Sequence, residues 1–201
     1  MSVDIETTLR EVGALKEGHF LLASGRHSGR YIEKFDLLHR PRETEAVCRG
    51  IAARFAGAGI ETVAGPTTGG ILLAFEVARQ LGVGAAYAER RESGPGREFR
   101  RGYRFRPGER VLVVDDILTT GGSVRDMLDA LAPHGVEVVA VAVLVDRSGG
   151  RVDFGVPLAP LLQLDIATYD PADCPLCRAG LPLVKPGTTA VPASGGAAGR
   201  P

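Results

Sequence analysis

Apolar residues along this chain recur in two rhythms, one of about three and a half positions and one of continuous short runs. Ile5, Leu9 and Val12 are spaced i, i+4 and i+7 and predict an amphipathic helix ending near Gly13. The stretch GHFLLASGRHSGRYIEKFDLL breaks its apolar runs with Gly and Ser, which predicts strands and turns. Pro41 opens a second helix with Val47, Ile51 and Phe55 on one face, closed by GAG. Beyond it the rhythms alternate. ETVAG predicts a strand, Gly70 to Leu81 a helix with Ile71, Ala74, Phe75, Ala78 and Leu81 inward, and GAAYAE another strand. After a charged, glycine-bearing stretch, Arg110 to Val114 predicts a strand. Ser123 to Ala132 then predicts a helix with Val124, Met127, Leu128 and Leu131 inward, and VEVVAVAVLVD a long strand. β-Branched runs separated by helices of this length imply βαβ units. The expected fold class is α/β, a Rossmann-like parallel sheet core flanked by helices. The closing stretch KPGTTAVPASGGAAGRP has nothing to pack, so 186–201 is expected to be a disordered tail.

Composition narrows the partners. With 44% hydrophobic and 24% charged residues over 201 positions, the chain is ordinary for a soluble domain with a real core. Formal net charge is zero, so no nucleic acid and no membrane surface is indicated, and any basic site must be local. No signal peptide is evident at the N-terminus and no run is long enough to span a bilayer. Three cysteines, an odd number, argue against a disulfide framework and for a cytoplasmic location. Two of them, Cys174 and Cys177, stand in CPLC, the spacing of half a zinc site or a redox pair. No His lies nearby in sequence and Cys48 is remote, so the expectation is reduced thiols packing the C-terminal segment. Sharing of a metal across a dimer axis is the alternative.

The candidate chemistry sits in VLVVDDILTTGGSV, residues 111–124. Ligands of open α/β sheets bind outside the carboxyl ends of the strands, and Asp115 and Asp116 follow the run Val111 to Val114. One helix-capping aspartate would be unremarkable, but two adjacent ones need another reason. The residues Ile117, Leu118, Thr119, Thr120, Gly121, Gly122 and Ser123 supply hydroxyls, conformationally free glycines and a helix start that can present N–H groups to a phosphate. There is no Lys after the glycines, so this is not a nucleoside-triphosphate P-loop. A 5-phosphorylated ribose fits: phosphate on TTGGS, hydroxyls on the two carboxylates.

This segment resembles the phosphoribosyl-pyrophosphate signature of the type I phosphoribosyltransferases. From about Leu15 to Arg147 the chain is similar to the orotate phosphoribosyltransferases. HFLLASGRHSGRYI, with Ser24, Gly25, Arg26 and Ser28, resembles the family's segment forming a small N-terminal hood over the base. Ala23 stands where the family has a phosphate-contacting Lys, and Tyr31 and Ile32 fall at the aromatic positions against orotate. AGPTTGGILLA resembles the pyrophosphate-side loop, with Thr68 and Gly69 where many relatives carry Lys. In AERRESGPGREFRRG, Arg90 and Arg91 match the opening Arg-Lys of a flexible basic loop, here 90–102. Gly94 and Gly96 take the places of the Lys and His that follow, leaving Arg97, Arg100 or Arg101 to supply charge. Arg147, in LVDRSGG, matches the arginine gripping the orotate carboxylate, and pairing with Asp146 is the alternative reading of it.

The resemblance implies a hood segment with the first helix in 1–40, a transferase core in 41–165, and a C-terminal segment, 166–185, returning to the hood. It implies transfer of phosphoribosyl from phosphoribosyl pyrophosphate to N1 of orotate. Asp115, Asp116, Arg90 and Arg91 would be catalytic. Tyr31, Ile32, Thr119 and Arg147 would hold orotate, and Thr68, Gly69, Arg90, Arg91 and 115–123 phosphoribosyl pyrophosphate. Mg²⁺ would be held mainly through the substrate phosphates, with Asp115 and Asp116. A homodimer is implied, loop 90–102 closing on the neighbouring subunit's site. A transferase for another base such as a purine, or a non-catalytic phosphoribosyl-pyrophosphate sensor, is the alternative.

Overall fold

The computed structural model describes residues 4–186, which divide into two compact units. One holds the residues through Lys16 together with Tyr31–Ile166, and the other holds Glu17–Arg30 and the chain from Ala167 onward. The N-terminal helix thus groups with the residues of the expected core. All of the expected tail but Pro186 lies outside the described residues.

In chain order the elements are α1 (Ile5–Glu11), β1 (Leu15–Leu21), β2 (His27–Ile32), α2 (Lys34–Leu38) and α3 (Pro41–Phe55). Next come β3 (Thr62–Pro66), α4 (Gly69–Leu81), β4 (Gly84–Arg90), β5 (Arg97–Phe99), β6 (Arg110–Leu118) and α5 (Gly122–Leu131). The chain continues with β7 (Glu137–Asp146), β8 (Leu158–Gln163), β9 (Thr168–Tyr169) and α6 (Pro175–Arg178).

The larger unit is built on a six-stranded sheet of order β5-β4-β3-β6-β7-β8. All its neighbouring pairs are parallel except β4–β5, an antiparallel hairpin. Side chains leave a strand alternately on its two faces, and the sheet has a core on each. Leu112 and Val114 of β6 join Val47, Ile51, Leu73 and Val77 of α3 and α4, whereas Val111 and Val113 join Val124, Met127 and Leu131 of α5. Asp4 caps α1 by accepting from the N–H groups of Glu6 and Thr7, and Pro41 occupies the first turn of α3.

Three expectations change. On α4 the buried face is Leu73, Ala74, Val77 and Ala78, while Phe75 is 63% exposed. GGILLAFEVARQL is apolar on more than one side, so periodicity alone cannot choose the buried face. β6 runs on to Leu118, so the acidic pair lies within the strand. β8 adds a parallel edge strand despite Pro160, which an edge tolerates because its N–H side needs no ladder partner.

The smaller unit contains a three-stranded sheet of order β1-β2-β9, with His27 opposite Tyr169 and Ser28 opposite Thr168. Leu21 N–H donates to Val184 O and Val184 N–H to His19 O, which ties the C-terminal segment to β1. Arg26 grips Thr168 through Nε to its hydroxyl (2.9 Å) and NH2 to its carbonyl (2.8 Å). No His lies near CPLC in sequence, but two come to it in space. His19 and His27, distant in sequence, stand with Cys174 and Cys177, their ligand atoms all within 4.8 Å of one another.

Candidate active site

The two cores explain the adjacent acids. Val111 and Val113 face α5, Leu112 and Val114 face α3 and α4, and the pair continues those rows. Asp115 reaches Ser123 on α5. Asp116 lies against Gly69 of α4 and Lys34 of α2. One strand therefore delivers a carboxylate to the start of each flanking helix. Both are buried, at 6% and 4% exposure.

Burial, and then the like charge of Asp116, push the Asp115 carboxyl up to about 6. The Asp116 N–H donates to Asp115 Oδ1 at 2.8 Å, and the Ile117 N–H to Asp116 Oδ1 at 2.7 Å. Asp116 Oδ2 meets Lys34 Nζ at 2.7 Å, an ion pair that lacks hydrogen-bond alignment.

A cavity of about 270 Å³ opens over the pair, lined also by Lys34, Thr67, Thr68, Gly69, Arg90, Arg97, Ile117, Ser123 and Asp126. Thr68 precedes α4 and Gly121 precedes α5, and neither helix has a side-chain cap. Their first-turn N–H groups and positive dipole ends are thus available to anions. Beside α5, the residues from Ile117 to Val124 and Asp115 line a smaller hollow of about 60 Å³, with Thr119 and Thr120 exposed. Two glycines are required by geometry. A Cβ on Gly69 would lie 2.1 Å from Asp116 Oδ2, and Gly121 has φ +81° with Arg125 NH1 2.8 Å from where its Cβ would be.

The hairpin β4–β5 sorts the arginines. Arg97 is 5% exposed and donates from NH1 to Thr67 Oγ1 (2.9 Å) and Ala88 O (3.3 Å), and from NH2 to Ser123 Oγ (3.3 Å). Burial, and next the charge of Arg90, hold its pKa below the usual arginine value. Arg90 lines the same cavity. Arg91 is exposed and outside that lining, its backbone N–H closing the hairpin onto Gly96 O. Arg100 pairs with Glu98 and Glu92, and Arg101 with Glu89.

Tyr31 and Ile32 part company, as neighbours on a strand must. Ile32 is buried in the hydrophobic core, so its side chain does not belong to the base site. Tyr31 is half-buried, and burial raises its pKa while Lys34 and Arg147 oppose the rise. Arg147 follows β7, its N–H donating to Leu118 O at 2.8 Å. It is not paired with Asp146, whose Oδ1 accepts from Ser148 N–H at 2.7 Å. Arg147 Nε is buried without a hydrogen-bond partner, and burial lowers the group's pKa. A half-buried guanidinium with a buried, unpartnered N–H can pair with a planar anion. Sequence reasoning missed Lys34 and Asp126. A lysine in YIEKFDLL carries no local signal, because its role depends on a strand over eighty positions away.

Residues 36–154 match the family described as phosphoribosyl transferase domain. The chain is 50% identical over 185 residues to an orotate phosphoribosyltransferase of Pelotomaculum thermopropionicum, covering 92% of this chain and 96% of the relative. It is 47% identical over 184 residues to one of Thermotoga maritima, covering 92% and 97%. Among solved structures, orotate phosphoribosyltransferase from Aeropyrum pernix superposes with a TM-score of 0.67 at 30% identity, covering 80% of this chain and 93% of that one. The buried acid pair, the two uncapped helix starts and these similarities lead to one conclusion: the chain belongs to the orotate phosphoribosyltransferases of the phosphoribosyltransferase family.

Proposed function

We propose that the chain transfers phosphoribosyl from 5-phosphoribosyl 1-diphosphate to N1 of orotate, releasing pyrophosphate and giving orotidine 5'-monophosphate, a step of pyrimidine nucleotide synthesis. One observation carries the reading: a single strand presents Asp115 and Asp116 to the starts of two uncapped helices, above a cavity shared with Arg90 and Arg97. The 5-phosphate fits the N–H groups of 119–123. The ribose hydroxyls donate to the carboxylates, which favour the positive charge that grows on the sugar as its bond to pyrophosphate breaks. The leaving pyrophosphate meets the start of α4 at Thr68 and Gly69, with Arg90 and Arg97. The half-buried Arg147, its Nε buried and Tyr31 beside it, suits the orotate carboxylate and discriminates against bases that lack one.

Buried carboxylate oxygens beside phosphate-binding N–H groups are hard donors of the kind Mg²⁺ takes, so Asp115 and Asp116 fit that ion together with the substrate's phosphates. Bound there, it would neutralise charge on the departing pyrophosphate. The reading includes a homodimer in which 90–102 closes on the partner's site, and a cytoplasmic location. No helix among the described residues is long and apolar enough to cross a membrane.

The test is orotate consumption with phosphoribosyl pyrophosphate and Mg²⁺, against adenine, guanine and uracil. Consumption of orotate alone, strongly weakened by Arg147→Ala, supports the assignment. Turnover of a purine instead overturns it.

A further inference from the structure

We propose that His19, His27, Cys174 and Cys177 bind one Zn²⁺ ion and so staple the smaller unit together. The site lies wholly within that unit and none of its four residues belongs to the proposed transfer chemistry. Two thiolates and two imidazoles are the donor set of a closed, tetrahedral structural zinc site.

The geometry approaches that of a filled site. His19 Nε2 lies 3.5 Å from Cys174 Sγ and 3.6 Å from Cys177 Sγ, and His27 Nδ1 lies 3.3 Å from Cys177 Sγ. Zinc bonds of ordinary length set tetrahedral N–S edges of about 3.5 Å. The two ring nitrogens are 2.9 Å apart, so the ion needs them to separate by about half an ångström. His19 is already oriented. Its Nδ1 lies 2.9 Å from Leu181 O, and donation there leaves the Nε2 lone pair facing the other three donors. A ligating histidine characteristically has such a backbone partner on its other nitrogen. Three of the four residues are buried, and Cys177 is exposed, which gives the ion a way in.

The unit also needs a staple. Among its described residues only Phe20 and Cys174 are buried apolar groups, while Leu181, Leu183 and Val184 are all at least 45% exposed. Its two segments, one near each end of the chain, have almost no apolar core to join them. Units of that size are commonly held by disulfides or a metal. The fourteen-residue segment Glu17–Arg30 contributes the two histidines and the C-terminal segment the two thiols, so one ion links both. Cys48 takes no part. It is buried in the other unit, where burial pushes its thiol up to about 12.

Full-length protein without a histidine tag, purified from zinc-supplemented medium and dialysed against a mild chelator, is to be assayed for metal by mass spectrometry. The expected result is one zinc per chain, falling to less than a tenth in Cys174→Ser/Cys177→Ser. Reconstitution with Co²⁺ after zinc removal should give the intense visible bands of a tetrahedral thiolate site. Zinc removal should also speed proteolysis within 17–30 or 167–186 at least tenfold, with recovery on adding Zn²⁺. Wild-type protein that carries no zinc and gives no tetrahedral cobalt spectrum overturns the proposal. So does zinc retained by the double variant.

Discussion

Asp115 shows how a site is held against its own electrostatics. Its carboxyl is raised from 3.8 to about 6, so between those values the folded chain holds a proton that the unfolded chain has lost. Stability therefore falls as pH rises through this window, and the cost is fully present above it. Asp115→Asn should raise the melting temperature at pH 7.5 by a few degrees, with the gain shrinking near pH 4.5, while activity drops on the order of 10²–10³-fold. A gain independent of pH, in thermal melts across that range, would contradict this origin. A second residue-level distinction concerns the basic hairpin. Arg97 is turned into the cavity and Arg100 is engaged by two glutamates. Arg97→Gln should reduce kcat/KM on the order of 10²-fold, and Arg100→Gln by less than about threefold. Equal losses in the two variants would show that the hairpin rearranges before turnover.

At the level of elements, the site depends on how closely α4 approaches β6. The absence of a Cβ at Gly69 is what lets Asp116 sit beside the helix start, since a methyl there would lie 2.1 Å from Oδ2. Gly69→Ala should therefore displace Asp116 and raise the KM for phosphoribosyl pyrophosphate more than tenfold, with a much smaller change for orotate, as steady-state kinetics would reveal. Much of this arrangement was legible in advance. The β-branched runs marked β3, β6 and β7, although β6 runs past the two acids to Leu118, and the glycines of TTGGS marked the start of α5. Other parts were not legible, for identifiable reasons. Pro160 disguised β8 because only its place at the sheet edge makes proline acceptable there. Phe75 looked buried because α4 has apolar residues on two faces, and Ile32 looked like a ligand contact although a strand turns it to the face opposite Tyr31, into the core.

At the scale of the whole chain, the residues hardest to read were those whose partners are far away in sequence. Lys34 has meaning only beside Asp116, and CPLC only beside His19 and His27. Neither pairing leaves a local pattern. The proposed Mg²⁺ also belongs here, because the ion would join both carboxylates to the substrate. Activity should be lost on chelation and restored by adding Mg²⁺ in a simple titration, and persistence in excess chelator would exclude the ion.

The central claim is that the adjacent acids of β6 hold the ribose while Arg147 selects the base. The most direct measurement is orotate absorbance during turnover with phosphoribosyl pyrophosphate, compared among wild type, Asp116→Asn and Arg147→Ala. The account predicts orotate consumption by the wild type, a loss of kcat on the order of 10²–10³-fold in Asp116→Asn, and a raised KM for orotate with little change for phosphoribosyl pyrophosphate in Arg147→Ala. Undiminished turnover by Asp116→Asn, or an unchanged orotate KM in Arg147→Ala, would contradict it.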